Sequence, residues 1–138
     1  MSHTTKMDVQ MRDLEMVEKT CQELADKGFR FVVTDKVKMF EGGKEEACVA
    51  AIYIDGHEVT DNHGNKSVEG KWSYPIAIKE DGSIAYDNYN GHWGDIKVLE
   101  GFRRLYTENV TVKFAESTGR RVLHRELVNG SMIIDLGR

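Results

Sequence analysis

Hydrophobic positions along the chain fall into two stretches with helical spacing and several with the spacing of strands. The first helical stretch covers residues 13–27, with apolar side chains at Leu14, Val17, Cys21 and Leu24. Asp13 is suited to cap this helix and Gly28 to end it. The second stretch covers residues 95–119 and has apolar or aromatic residues at every fourth position: Val98, Phe102, Tyr106, Val110 and Phe114. Both stretches predict α-helices that bury one side.

Short apolar runs predict the strands. Ahead of the second helix they lie at residues 3–11, 29–40, 48–54, 72–78 and 83–86. Residues 48–54 are almost continuously apolar, which is typical of a strand buried on both faces. Asp81-Gly82 predicts a tight turn between the last two of these strands. Residues 57–70 are polar and predict either a loop or an exposed hairpin.

The C-terminal residues allow a test of strand register. An Asn129-Gly130 turn would place Leu127 opposite Met132 and Leu123 opposite Leu136, so that both apolar pairs share one face. This match predicts a hairpin over residues 121–136 that joins the main sheet. The predicted order is β-α-β-β-β-β-α-β-β. It indicates an α+β fold in which two helices cover one face of a mostly antiparallel sheet.

Length and composition indicate the number of domains and the cellular compartment. A chain of 138 residues with a single proline and no low-complexity segment predicts one α+β domain over residues 1–138. No apolar run approaches the roughly 20 residues of a membrane span, and the first residues contain no apolar signal segment. Cys21 and Cys48 are expected to be buried, reduced thiols. Together these features predict a cytoplasmic protein without membrane association.

Charge argues against general nucleic-acid binding, because 19 basic residues face 23 acidic ones for a net charge of −4. Basic residues nevertheless cluster in the last third of the chain, at Arg103, Arg104, Arg120, Arg121 and Arg125. Arg120 and Arg121 follow the second helix, where cations stabilise the helix dipole. The alternative is that Arg120, Arg121 and Arg125 bind a small anionic ligand, because guanidinium groups pair well with phosphate and carboxylate.

No recognised catalytic motif is present in the sequence. The chain has no GxSxG, no HExxH and no glycine-rich phosphate loop, so an enzyme is not favoured. His57, Asp61 and His63 lie close together in a polar segment, but their spacing matches no known metal site. We interpret them as part of a solvated loop. No metal and no cofactor is predicted.

The best candidate for function is the loop of residues 86–94. It combines Tyr86, Tyr89, His92 and Trp93 with asparagine and glycine. Aromatic side chains on a polar frame are typical of recognition surfaces. The alternative is that Trp93 and Tyr86 pack beneath the loop as a small core. The predicted binding residues are therefore Tyr86, Tyr89, His92 and Trp93, together with Arg120, Arg121 and Arg125.

Several short segments also resemble a known family. The Met-Ser-His-(x)-Thr opening precedes Asp13-Leu14; Trp93 stands ahead of a helix with Gly101-Phe102, Tyr106 and Val110; and the end contains Gly119, Val122 and Asn129-Gly130-Ser131. This pattern resembles the hypothetical chloroplast reading frame thirty-five family, a domain of unknown function from cyanobacteria, plastids, other bacteria and phages. The resemblance implies a compact α+β fold and no known activity, cofactor or catalytic residue. Genes of the family often neighbour one for an AAA-type ATPase, which implies an accessory role.

Three functions remain in consideration from the sequence. The first is a non-catalytic binding or accessory module that contacts a protein partner or further copies of itself. The second is a small-ligand or nucleotide-binding protein, which could be phage-encoded and sequester its ligand. In that case the aromatic loop would stack on a ring and the arginines would hold phosphate. The third is an enzyme of an unrecognised type.

Overall fold

The computed structural model describes residues 5–7, 11–39, 43, 45–119, 121–128 and 131–137. Within these residues the helices are α1 (Leu14–Glu23) and α2 (Ile96–Ser117). The strands are β1 (Thr5–Met7), β2 (Phe29–Val32), β3 (Lys36–Lys38), β4 (Glu45–Ala47), β5 (Ala50–Ile54), β6 (His57–Thr60), β7 (Lys66–Glu69), β8 (Ile76–Ile78), β9 (Ile84–Tyr86), β10 (Arg121–Val128) and β11 (Ser131–Gly137). The predicted α+β class is confirmed. Neither helix in these ranges is long and apolar enough to span a membrane.

An antiparallel five-stranded sheet, in the order β1-β9-β8-β5-β2, forms the centre of the fold. Alternate residues of β2, β5, β8 and β9 pack against both helices, so the helices cover one face, as predicted. Phe29 of β2 stacks on Phe102 of α2, with ring centroids 5.3 Å apart. Ile52 and Ile76 are fully buried beneath the same helices. The main core therefore lies between this face and the helix pair.

The opposite face of the sheet carries a row of alanines. Ala51 pairs with Ala77, and Ala77 pairs with Ala85, across three neighbouring strands. Val37 and Met39 pack over this row and are themselves buried. The predicted strand at residues 29–40 is therefore wrong as one element. It ends at Val32, bends at Asp35 and continues as β3, because the chain turns to cover the alanine face.

Two further sequence predictions are resolved at the hairpin and strand that follow β5. Of the two alternatives for residues 57–70, the hairpin is found: β6 pairs with β7, and the Asp61 carboxylate accepts the N–H groups of His63 and Asn65 in the turn. The strand predicted at residues 72–78 begins only at Ile76. The preceding Pro75 has no N–H to donate to a ladder, so the segment before it is irregular.

The helix boundaries agree with the sequence. Asp13 accepts the N–H of Met16 at 3.2 Å as the N-cap of α1, and Gly28 ends the following turn with φ +88°. Asp95 caps α2 by accepting the N–H of Lys97 at 2.9 Å. The helices are also joined to each other, because Lys113 of α2 donates to the Asp13 carboxylate at 2.8 Å. This contact lowers the pKa of Asp13.

The C-terminal hairpin is confirmed as a pair of strands, with Leu127 opposite Met132 and His124 opposite Asp135. A bulge then brings Val122 rather than Leu123 opposite Leu136. The prediction that this hairpin joins the main sheet is wrong, because β10 and β11 form a two-stranded sheet of their own, in contact with α2. Register within a hairpin follows from local pattern, whereas its packing partner depends on distant residues. The turn residues 129–130 lie outside the described residues.

Candidate functional site

The loop between β9 and α2 has an unusual backbone. Tyr89 and Asn90 have φ values of +47° and +53°, and Gly91 follows with +97°. Two successive non-glycine residues in the left-handed region cost free energy, of order 1 kcal/mol for the tyrosine. Hydrogen bonds hold them there. Asp87 Oδ1 accepts the N–H of Tyr89 at 3.0 Å, and the Asn88 carbonyl accepts the N–H of Trp93 at 3.0 Å. The loop is therefore built to keep one conformation.

A buried aromatic layer lies beneath this loop and consists of Trp72 and Tyr86. Their ring centroids are 5.6 Å apart at 71°, and the residues are only 4% and 7% exposed. The Trp72 indole N–H donates to the carbonyl of Asp95 at 3.2 Å. Burial, with a smaller effect from the Glu100 carboxylate, raises the pKa of Tyr86. For Tyr86, a predicted binding residue, the structure thus favours the packing alternative, since its ring offers little surface to a ligand.

Gly94 joins the loop to the buried layer. A Cβ at this position would lie 2.3 Å from the nearest atom of the Trp72 ring. Only glycine permits so close an approach of the backbone to the indole. Residue 94 is also buried, and its carbonyl accepts a hydrogen bond from the Asn88 side chain at 3.3 Å. The two ends of the loop are thereby held against the same ring.

Four further side chains form an outer layer, which we call the aromatic cluster: Tyr74, Tyr89, His92 and Trp93. Trp93 has ring centroids 5.0 Å from both Tyr89 and Tyr74, at 29° and 63° respectively. His92 lies 5.1 Å from Tyr89 and is exposed, whereas the other three are half-buried. The N–H of Ser73 donates to the Trp93 carbonyl at 2.7 Å and so brings Tyr74 alongside the loop. The cluster presents aromatic surface to solvent.

Sequence reasoning missed Trp72, Tyr74 and Asp87. Trp72 and Tyr74 were included in a strand, although the adjacent Pro75 signals an irregular segment that can approach the loop. Asp87 is 2% exposed, and its Oδ2 atom has no hydrogen-bond partner among the residues that the structure describes. A buried carboxylate with an unpaired oxygen is costly. Its structural contribution is the bond to Tyr89 that holds the left-handed turn.

The predicted arginines are not brought to this loop by the described contacts. Arg120 lies outside the described residues, and Arg121 and Arg125 belong to β10. The loop leads into the first turn of α2, whereas β10 follows the last turn. A helix of 22 residues is about 33 Å long, so the loop and Arg121 lie beyond opposite ends of it. Whether the three arginines bind an anion stays a prediction.

The structure does not bring His57, Asp61 and His63 together. His57 pairs with Glu69 at the base of the β6–β7 hairpin, whereas Asp61 and His63 lie at its turn. The backbone N–H groups of Asn65 and His63 lower the pKa of Asp61. Among the described residues, no group of three or more His, Cys, Asp and Glu is placed to hold a metal ion. In the structure, Asp61 instead stabilises the turn of the hairpin through its two hydrogen bonds.

Both cysteines are free thiols. Burial, with a smaller effect from Glu18, raises the pKa of Cys21 to about 12. Burial also raises the pKa of Cys48, which is half-buried and donates to the carbonyl of Thr34 at 3.4 Å. Because only a thiolate is a strong nucleophile, neither side chain is activated at neutral pH.

The fold and the site together define an α+β protein with a partly exposed aromatic cluster on a strained loop. No protein-family model matches the chain, and neither the curated proteins nor the solved structures contain a significant match to it.

Proposed function

We propose that this chain is a non-catalytic binding module that contacts a protein partner through the aromatic cluster. One observation carries the proposal: Tyr89 presents its ring to solvent, stacked on Trp93, from a backbone held in the left-handed region. Tyrosine and tryptophan are enriched among the residues that dominate protein–protein binding. Strained backbone persists where other interactions compensate for it, and such positions concentrate at functional sites.

Core packing does not account for the outer layer. Trp72 and Tyr86 already belong to the buried core and close it beneath the loop. Tyr89 and His92 do not belong to that core. If the loop served packing alone, a glycine or an asparagine at position 89 would give the same turn without the strain. The choice of a tyrosine supports a role for its ring at the surface.

The rigidity of the loop also supports binding. Ring stacking and backbone hydrogen bonds fix Tyr89 and Trp93 before any partner arrives. Side chains that are already ordered lose less conformational entropy on association. More of the favourable free energy of the contacts then contributes to the binding affinity.

Local charge favours a protein partner over a nucleotide at this surface. Residues 80–95 contain Glu80, Asp81, Asp87 and Asp95, and neither lysine nor arginine. A nucleotide phosphate needs cationic side chains or helix N-terminal N–H groups. Arg103, the nearest arginine of α2 in sequence, is paired with Glu100 at 3.3 Å. The nucleotide alternative would therefore depend on residues outside the cluster.

Selection of a phage-displayed random peptide library on the immobilised full chain tests the proposal. Enriched peptides are then titrated against the wild-type chain and against Tyr89→Ala. We expect the variant to lose about 2 kcal/mol of binding, roughly a thirtyfold rise in Kd. Phe114→Ala is the matched control, because it removes a 66% exposed aromatic side chain elsewhere on the surface. Equal affinity for all three proteins would contradict the proposal.

The family resemblance adds a specific candidate partner. We propose membership of the reading frame thirty-five family and, with it, an AAA-type ATPase encoded nearby as the protein that this module assists. The free thiols fit a reducing, cytoplasmic compartment, where such an ATPase would be met. Titration of the purified ATPase against the wild-type chain and Tyr89→Ala tests this. Binding that is absent, or unaffected by the substitution, would remove the ATPase as partner of this surface.

A further inference from the structure

Strand β2 forms one edge of the five-stranded sheet. Within the described residues it pairs with β5 on one side and with no strand on the other. The edge sequence, residues 29–33, contains no lysine and no proline, which are the usual protections of an exposed edge. Its one charge, on Arg30, is bound by Asp55 at 2.5 Å. Val33, directly after the strand, is 76% exposed. The edge is therefore apolar and open.

The direction of the backbone groups follows from one hydrogen bond. The N–H of Asp55 donates to the carbonyl of Gly28 at 2.9 Å, and this pair continues the β2–β5 register. Hydrogen-bonded pairs alternate along an antiparallel ladder, so Arg30 and Val32 direct their N–H and C=O groups towards β5. Phe31 and Val33 direct theirs outwards. Phe29 also faces outwards, but its N–H already donates to Leu24 at 3.3 Å.

A groove of about 380 Å³, apolar on its strand side, runs between this edge and α1. Its strand side is lined by Phe29, Phe31 and Val33, and its helix side by Glu18, Cys21, Gln22 and Ala25. Phe31 is half-buried and packs partly against the core. A strand added at the edge would place alternate side chains over this groove.

We propose that this edge binds the same edge of a second copy of the chain, antiparallel, about a twofold axis at Val32. In this register Phe31 lies opposite Val33 of the second copy, and Val33 lies opposite its Phe31. The outward N–H and C=O groups of these two residues, which have no partner within the described part of the chain, are then all paired. The apolar side chains of both copies meet on the helix side, where each Val33 lies over the groove of the other copy.

The register about Val32 is more favourable than those about its neighbours Arg30 and Phe31. An axis at Arg30 would set two arginines directly opposite each other, which is destabilising. An axis at Phe31 would require the N–H of Phe29, which Leu24 already accepts. With the axis at Val32, Arg30 faces Thr34 of the second copy. The two sheets become one continuous antiparallel sheet, an isologous interface of the kind that closes a dimer.

Sedimentation velocity of the full chain, from micromolar to submillimolar concentration, tests the dimer. We expect the wild-type chain to dimerise and Val33→Glu to raise the dissociation constant roughly a hundredfold, because the symmetry places the charge in the interface twice. Val68→Glu is the matched control, since Val68 is a 56% exposed strand valine in β7. It should dimerise like the wild type.

A wild-type chain that stays monomeric throughout overturns the proposal, and so does a dimer that Val33→Glu leaves intact. Circular dichroism establishes that each variant is folded. If Val33→Glu does not fold, Val33→Lys replaces it with the same expected loss. A dimer weakened equally by Val68→Glu would place the interface elsewhere and would also overturn it.

The variant Val32→Cys tests the proposed register of the two β2 strands. Val32 would face its symmetry mate as a pair without mutual hydrogen bonds, the closer kind in an antiparallel ladder and near enough for a disulfide. Mild oxidation should therefore cross-link this variant into a covalent dimer on a non-reducing gel. The wild-type chain and Val68→Cys, oxidised alongside, should stay uncross-linked. Failure of Val32→Cys to cross-link would overturn the Val32 axis.

Discussion

The two aromatic layers at the end of the sheet have similar composition and opposite surroundings. Trp72 and Tyr86 are buried, and one of them donates its indole N–H to a backbone carbonyl. Tyr89 and Trp93 stack on each other above them and remain partly open to solvent. The inner layer derives its stability from exclusion of water. The outer layer depends on a strained turn, and this difference separates a structural role from a recognition role.

Trp72→Ala should give the largest loss of folding stability. Removal of a buried indole leaves a cavity and deletes the hydrogen bond to the Asp95 carbonyl, so we expect the free energy of unfolding to fall by about 3–5 kcal/mol. Urea denaturation followed by circular dichroism measures the change. Phe114→Ala, on an exposed face of α2, should cost less than about 0.5 kcal/mol. A loss below that of Trp93→Ala would reverse the assignment of the two layers.

Gly94→Ala should give the second-largest loss of folding stability. The added methyl group would lie 2.3 Å from the Trp72 ring, which Tyr86 and Asp95 hold in place, so we expect a loss of about 1–3 kcal/mol. Gly101→Ala provides a control of opposite sign. Gly101 lies in α2 with open space around its Cβ position, and alanine there should stabilise by about 0.5–1 kcal/mol. Thermal denaturation of both variants separates steric conflict from a general response to alanine.

Trp93→Ala should have an intermediate effect on folding. The ring is half-buried and makes an edge-to-face contact with Tyr74 and a stacking contact with Tyr89, each of a kind worth about 0.5–1.5 kcal/mol. We expect a loss of about 1–2 kcal/mol in urea denaturation, well below that of Trp72→Ala. A loss of about 3 kcal/mol or more, which is typical of a core residue, would show that Trp93 belongs to the packed interior.

Tyr89→Asn should change stability least, by less than about 0.5 kcal/mol, because asparagine adopts the left-handed region readily and this relief offsets the lost stacking. Tyr89→Val is the control. A β-branched residue is poorly accommodated at φ +47°, so it should cost more than Tyr89→Asn in the same urea measurement. Equal stability of the two variants would show that the turn relaxes, and the strain would no longer support a functional role.

Local features were predicted well from the sequence. Both helix caps, Asp13 and Asp95, and the register around Leu127 and Met132 depend on residues near in the chain, whose spacing is visible. The grouping of Tyr89, His92 and Trp93 in one loop is visible in the sequence for the same reason, since they stand together among asparagine and glycine. Such patterns report on local geometry directly.

Contacts between distant segments were not predictable in this way. Tyr74 reaches Trp93 only because the irregular segment before β8 lies against the loop. Tyr86 has the same alternation as any strand residue, so its burial could not be distinguished from exposure at the strand end. In the terminal hairpin, the pairing of Leu127 with Met132 was predicted correctly from the spacing of apolar residues. That spacing does not indicate which sheet or helix the hairpin packs against.

The division of the two tryptophans between the layers has a spectroscopic consequence. Trp72 is sealed in the core and Trp93 lies in the aromatic cluster, and the chain contains no third tryptophan. Intrinsic fluorescence therefore combines two signals from different depths of one region. A Trp93→Phe chain would report on global unfolding through Trp72. A Trp72→Phe chain would report on the loop through Trp93, where release of the Tyr89 stack changes the emission while the sheet stays intact.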